Sequence, residues 1–160
     1  MTLERLSTAP TDFDFALGDW HVRHRRLKDR LVGCTDWIAF PGRMSTHAVL
    51  GGYGNLEDNL VQLPEGPYRA IAIRSFNPDT LCWSIWWLDG RMPGQLDVPV
   101  VGQFAHGIGT FYADDTLHGT PIKVRFLWFT TTPDQPRWEQ AFSADNGVTW
   151  ETNWTMEFSR

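Results

Sequence analysis

The chain has 160 residues, 42% of them hydrophobic and 21% charged, which describes one ordinary globular domain and excludes a disordered segment. A formal net charge of −5 is the wrong sign for a phosphate-backbone partner, and no stretch approaches the length of a membrane span. The opening lacks the basic start and apolar run of a signal peptide, and Cys34 and Cys82 are too few for a disulfide framework, so the expectation is a cytoplasmic protein with reduced thiols.

Residues 1–12 mix Ser, Thr, Pro and charge without periodicity and read as a flexible lead-in to a single domain over residues 13–160. The run Phe13-Asp14-Phe15-Ala16-Leu17 suits a short helical turn that plugs a barrel end. Strand signals then recur with turn residues between them, over residues 19–31, 35–40, 43–50, 59–63, 68–76, 81–88, 100–105, 109–113, 122–130, 137–143 and 149–158. Pro41-Gly42 reads as a bend or bulge, Gly51-Gly52-Tyr53-Gly54 as a turn, and Asn77-Pro78-Asp79-Thr80 as a hairpin turn. Short connections throughout predict an all-β fold: a single antiparallel up-and-down β-barrel of about ten strands, closed because closure removes exposed edges. A barrel of that size has room for one small ligand.

The aromatic content sharpens this. Nine Trp and ten Phe are many for the length, and Trp carries an N–H that needs a partner, so the set predicts a thick core or a ring-lined cavity. The cations are twelve Arg against Lys28 and Lys123, which favours planar anion recognition over Schiff-base chemistry. On the first strand, alternation puts Trp20, Val22, His24, Arg26 and Lys28 on one face. With Trp20 inward, His24 and Arg26 enter the barrel, where a buried charge needs a partner or an anionic ligand. Trp83, Ile85, Trp87 and Asp89 share one face of a Trp-rich strand, and Cys82, Ser84, Trp86 and Leu88 the other, so at least one Trp lines the interior whichever face is inward. Asp89 suits a general base, a partner for Arg26 or Arg91, or a plain turn residue before Gly90. Trp150, Thr152, Trp154, Met156 and Phe158 form the core face of the last strand.

Other motifs read as structural. Ser143-Ala-Asp145-Asn-Gly147-Val-Thr149-Trp150 fits an Asp-box hairpin, with Asp145 accepting backbone N–H groups across the turn. The histidines His21, His24, His47, His106 and His118 have no carboxylate or Cys at ligand spacing on one face, so no metal is expected.

Phe13-Asp14-Phe15-Ala16-Leu17-Gly18-Asp19-Trp20, followed by His21-Val22-Arg23, resembles the opening of an uncharacterised bacterial family with a lipocalin-like (calycin) fold, whose members begin Asp-Phe-x-x-Gly-x-Trp. Trp83-Ser84-Ile85-Trp86-Trp87-Leu88-Asp89-Gly90 and the closing segment from Trp138 to Phe158 extend the likeness over nearly the whole chain. The resemblance implies a Trp20 that closes one barrel end beneath an Arg from the far end of the chain, with Arg160 and Arg137 as the two options. A related barrel type, nitrobindin, binds haem through a single His; no His here aligns to that ligand position, so the expectation is no cofactor, with haem as the alternative. Such barrels host carriers, haem proteins and isomerases alike. The leading functional expectation is a binder of a small hydrophobic or aromatic, anionic ligand through His24, Arg26, Trp83, Trp86, Trp87 and Trp154. The alternative is an isomerase or cyclase using His24, Arg26 and Asp89 as catalytic groups, and a third reading is a homodimer through a Trp-rich outer face.

Overall fold

A computed structural model of the chain describes residues 4–160. Ten strands run in chain order: β1 (Gly18–Leu27), β2 (Trp37–Val49), β3 (Gly54–Leu63), β4 (Gly66–Asn77), β5 (Cys82–Asp89), β6 (Val100–Ala105), β7 (Ile108–Leu117), β8 (Thr120–Phe129), β9 (Arg137–Ser143) and β10 (Glu151–Ser159). Each pairs antiparallel with the next and β10 pairs back onto β1, so the barrel is closed and up-and-down, as the strand rhythm predicts. The helical content is two three-residue 3-10 turns, Asp14–Ala16 and Leu50–Gly52, and no helix among the described residues is long and apolar enough to cross a membrane.

The Asp14–Ala16 turn caps one end. Phe13 is buried there, edge-on to Trp83 at 4.9 Å and to Phe104 at 4.9 Å between ring centroids. Such aromatic pairs contribute about 0.5–1.5 kcal/mol each beyond their burial. Trp20 donates its indole N–H to the Ala16 carbonyl at 3.0 Å, which ties β1 to the plug. Of the two Arg options, Arg160 is the one on Trp20: its guanidinium carbon lies 3.6 Å from the ring centroid and its nitrogens donate to the carbonyls of Asp19 and Leu17. Arg137 stacks on Phe129 instead. Gly18 is required between them, with φ of +96° and a position where any Cβ would sit 2.6 Å from the Arg160 guanidinium.

Several local expectations are corrected. Residues 35–50 do not break at Pro41-Gly42; β2 is one strand in continuous register with β1, Pro41 opposite Arg23 and Gly42 opposite Val22. β2 pairs with β3 only from Gly42 onward, so Pro41, which has no N–H, lies outside that ladder. Gly42 makes room rather than a bend, since a Cβ there would meet the His24 ring at 2.6 Å. β1 ends at Leu27, not at residue 31, because the chain turns across the barrel mouth, with Leu31 at φ of 60° and its N–H held by Glu151 at 2.7 Å. β3 begins at Gly54, five residues before the expected start. Trp150 leaves the core face assigned to it: register shifts between Thr152 and Trp154, so Asn153 is a bulge residue and everything before it changes sides. Trp150 therefore packs outside, against Tyr112 and Arg125. Residues 4–12 of the expected lead-in make defined contacts, including Leu6 N–H to the Gly51 carbonyl at 2.8 Å and an Arg5–Asp14 ion pair; the first three residues of that expectation lie outside the described residues.

Candidate functional site

The barrel interior opposite the plug holds a cavity of about 280 Å³. Strand parity decides what reaches it. β1 sends Trp20, Val22, His24 and Arg26 inward from plug to mouth. β5 sends Trp83, Ile85, Trp87 and Asp89 along the same direction. β8 and β9 add Trp128 and Trp138, directly opposite one another in register, and β10 adds Trp154 and Met156. The walls are a ring assembly: Trp154 stands edge-on to Trp138 at 5.4 Å and to Trp87 at 5.9 Å.

The mouth is cationic. Arg26 lies over the Trp154 ring at 4.0 Å and donates to the Tyr68 hydroxyl at 2.9 Å. Its Nε–H is buried without a partner. Arg30, brought over the mouth by the turn after β1, sits 5.4 Å from the Phe142 ring; burial, and then the charge of Arg26, pull its guanidinium below the ordinary value. Asp89 is not free to act on a ligand: Arg91 grips it at 2.7 and 3.1 Å and also takes its place in the Asp89-Gly90-Arg91 turn, and that hydrogen bonding holds the Asp89 carboxyl below its usual range. Arg91 in turn stacks on Tyr68 at 3.6 Å. Asp97, on the loop after β5, is moved the other way, chiefly by burial and then by the nearby Asp115 and Asp89.

His24 is inside the barrel but behind the cavity wall. Its ring stacks on Phe40 at 4.9 Å, and its Nδ1 accepts the Trp154 indole N–H at 3.1 Å. That bond puts the imidazole proton on Nε2, which faces Gly42. Burial, with the charge of Arg26 adding to it, holds the pKa down to about 3, so the ring is neutral at physiological pH. His24 therefore orients Trp154 and offers no free nitrogen toward the cavity; the other four histidines are exposed and do not border it.

At the plug end, the cavity floor is polar. Arg74 donates to Asn55 Oδ1 at 2.8 Å and to Glu57, and Asn59 donates to the other Glu57 oxygen at 2.9 Å. All four side chains are buried, and Glu57 and Arg74 both border the cavity. Arg74 is also held over the rings of Phe13 and Trp128 at 4.8 and 5.4 Å.

Of the residues expected at a site, Arg26, Trp87, Trp154 and Asp89 border this cavity. Trp83 points inward but lies at the plug, its N–H on Asp12 at 3.0 Å, and Trp86 is on the outer face of β5. Sequence reasoning missed Arg30, Glu57, Arg74, Trp128 and Trp138. Glu57 and its neighbours carried a signal: Asn55, Glu57 and Asn59 alternate with period two, a polar face that reads as loop unless a polar barrel floor is allowed for.

No family model and no curated protein matches the chain. Among solved structures, the chain is similar to Rv2717c from M. tuberculosis, with a TM-score of 0.59 at 10% identity over 95% of this chain and 98% of that one. At that identity the likeness concerns the ten-stranded barrel as a fold.

Proposed function

We propose that this chain is a small-molecule-binding protein of the lipocalin-like (calycin) kind that holds an apolar or aromatic anion in its barrel cavity. One observation carries the reading: Arg26 and Arg30 border a cavity walled by tryptophans, and neither is ion-paired with a carboxylate among the described residues. A half-buried guanidinium with an orphan N–H gains most from an acceptor that brings its own negative charge, and a carboxylate matches the guanidinium fork. The rings supply the apolar burial and stacking that a planar ligand needs. The lipocalin-like assignment is supported by Gly18-Asp19-Trp20 under Arg160; the barrel has ten strands where lipocalins have eight, so the likeness lies in the closed end. An acid–base enzyme finds less support, since His24 has its basic nitrogen occupied and Asp89 is engaged by Arg91.

The test is a titration of biphenyl-4-carboxylate and its methyl ester, followed by Trp fluorescence. Arg26→Ala weakens the acid by about tenfold or more, the worth of a hydrogen bond to a charged group, and the ester by less than about twofold. Equal weakening of both sinks the reading.

A further inference from the structure

The cavity has a second polar end that the anion-binding reading leaves unused. The Glu57–Arg74 pair is buried at the plug end, where both residues border the cavity and Arg74 also packs on the core rings of Phe13 and Trp128. A buried ion pair is weak evidence for stability, because apolar residues of similar volume often do as well. Its hydrogen bonding is also incomplete. Each Glu57 oxygen takes one donor, Asn59 on one and Arg74 on the other, where a carboxylate oxygen can take two. The Arg74 Nε–H is buried without a partner. On the facing wall, Gln140 spends its NH₂ on Asn153 at 2.8 Å, which leaves its amide oxygen as a further acceptor beside the cavity.

We propose that this floor is a second subsite, taking a hydroxyl group at the far end of the same ligand, so that the ligand class is a hydroxy-aryl carboxylate or a hydroxy acid of similar span. The inference rests on the anion-at-the-mouth reading for its orientation but on a different set of residues. A hydroxyl both donates and accepts, and the floor presents an acceptor, Glu57, next to an unfilled donor, Arg74 Nε–H. A second carboxylate is disfavoured by the Glu57 charge, and an amine by Arg74. The floor pair is neutral as a unit, so it takes a neutral polar group at no charge penalty.

The dimensions agree. Tyr68, which receives the Arg26 hydrogen bond, and Arg74 stand six residues apart on β4. That is about 20 Å along the strand and about 15 Å along the barrel axis once strand tilt is allowed for. Within that span, about 280 Å³ suits a ligand at the small end of ordinary sites.

The experiment is a four-compound square measured by calorimetry on the full chain: biphenyl, biphenyl-4-carboxylate, 4-phenylphenol and 4′-hydroxybiphenyl-4-carboxylate. The expected result is a gain of about tenfold in affinity from the hydroxyl, with or without the carboxylate. A hydroxyl that changes affinity by less than about twofold in both rows overturns the floor subsite, while a preserved carboxylate effect leaves the mouth reading standing. A hydroxyl effect without a carboxylate effect does the reverse. Removing both charges together, Glu57→Gln with Arg74→Met, avoids stranding one buried ion; in a variant whose melting remains cooperative, the hydroxyl gain falls below about twofold. Persistence of the tenfold gain in that variant overturns the assignment to these residues.

Discussion

His24 makes the stability of this barrel depend on pH in a way that can be calculated in advance. The imidazole is buried and neutral with a pKa near 3, whereas in the unfolded chain it returns to about 6.5. Its folded pKa is depressed, so the unfolded state binds the proton first. The contribution of neutral His24 is fully present above pH 6.5 and is lost progressively as pH falls toward 3. Between pH 7.5 and pH 5.0 the linkage integral is about 2 kcal/mol, and it is insensitive to the folded value so long as that value stays well under 5. The perturbation is His24→Phe, which keeps a ring against Phe40 and removes the titration. It also leaves the Trp154 N–H without an acceptor, a loss that is the same at both pH values. The other histidines, His21, His47, His106 and His118, are exposed in both proteins and cancel in the difference. Urea unfolding at the two pH values is the assay. The parent should lose about 2 kcal/mol more than the variant on going to pH 5.0. Losses equal to within about 0.5 kcal/mol would falsify the claim that His24 is held neutral behind the wall.

Two further outcomes test the frame around the site. Trp20→Ala removes a buried ring, its hydrogen bond to the Ala16 carbonyl and the platform for Arg160, and should cost about 3–5 kcal/mol in chemical unfolding; a variant as stable as the parent means the barrel end is not closed by this residue. Asp145 accepts from the Thr149 N–H and hydroxyl and from Ser143, and those bonds, Thr149 first, hold its carboxyl down to about 2. Its contribution is present above the unfolded value of 3.8 and disappears as pH falls through 2, so Asp145→Ala should lower the melting temperature at pH 7 and have a shrinking effect in acid, with biphenyl-4-carboxylate affinity untouched at neutral pH; a loss of that affinity without a loss of stability makes this turn part of the site.

The sequence by itself determined the fold class, because hairpin-length spacing and period-two alternation are local properties that need no knowledge of neighbours. It also determined the parity of β1: no Gly or Pro interrupts Asp19 to Leu27, so Trp20 inward carries Arg26 into the cavity. Tertiary structure decided the rest. Parity in β10 changes at Asn153, a bulge with no Gly or Pro to announce it, and that puts Trp150 outside while Trp154 stays on the inner face with Met156. Arg160 was chosen over Arg137 by where β10 ends beside β1, a matter of closure rather than of spacing. Trp83 and Trp87 share a face, but the Asp14–Ala16 plug fills the end where Trp83 lies, so only Trp87 meets the cavity. The floor shows the same limit most clearly. Asn55, Glu57 and Arg74 are polar residues on strands, and strand patterning assigns polar faces to solvent. Only the register that sets Glu57 opposite Ala72, two residues from Arg74, turns that polar face into a buried, nearly satisfied network under a hydrophobic cavity.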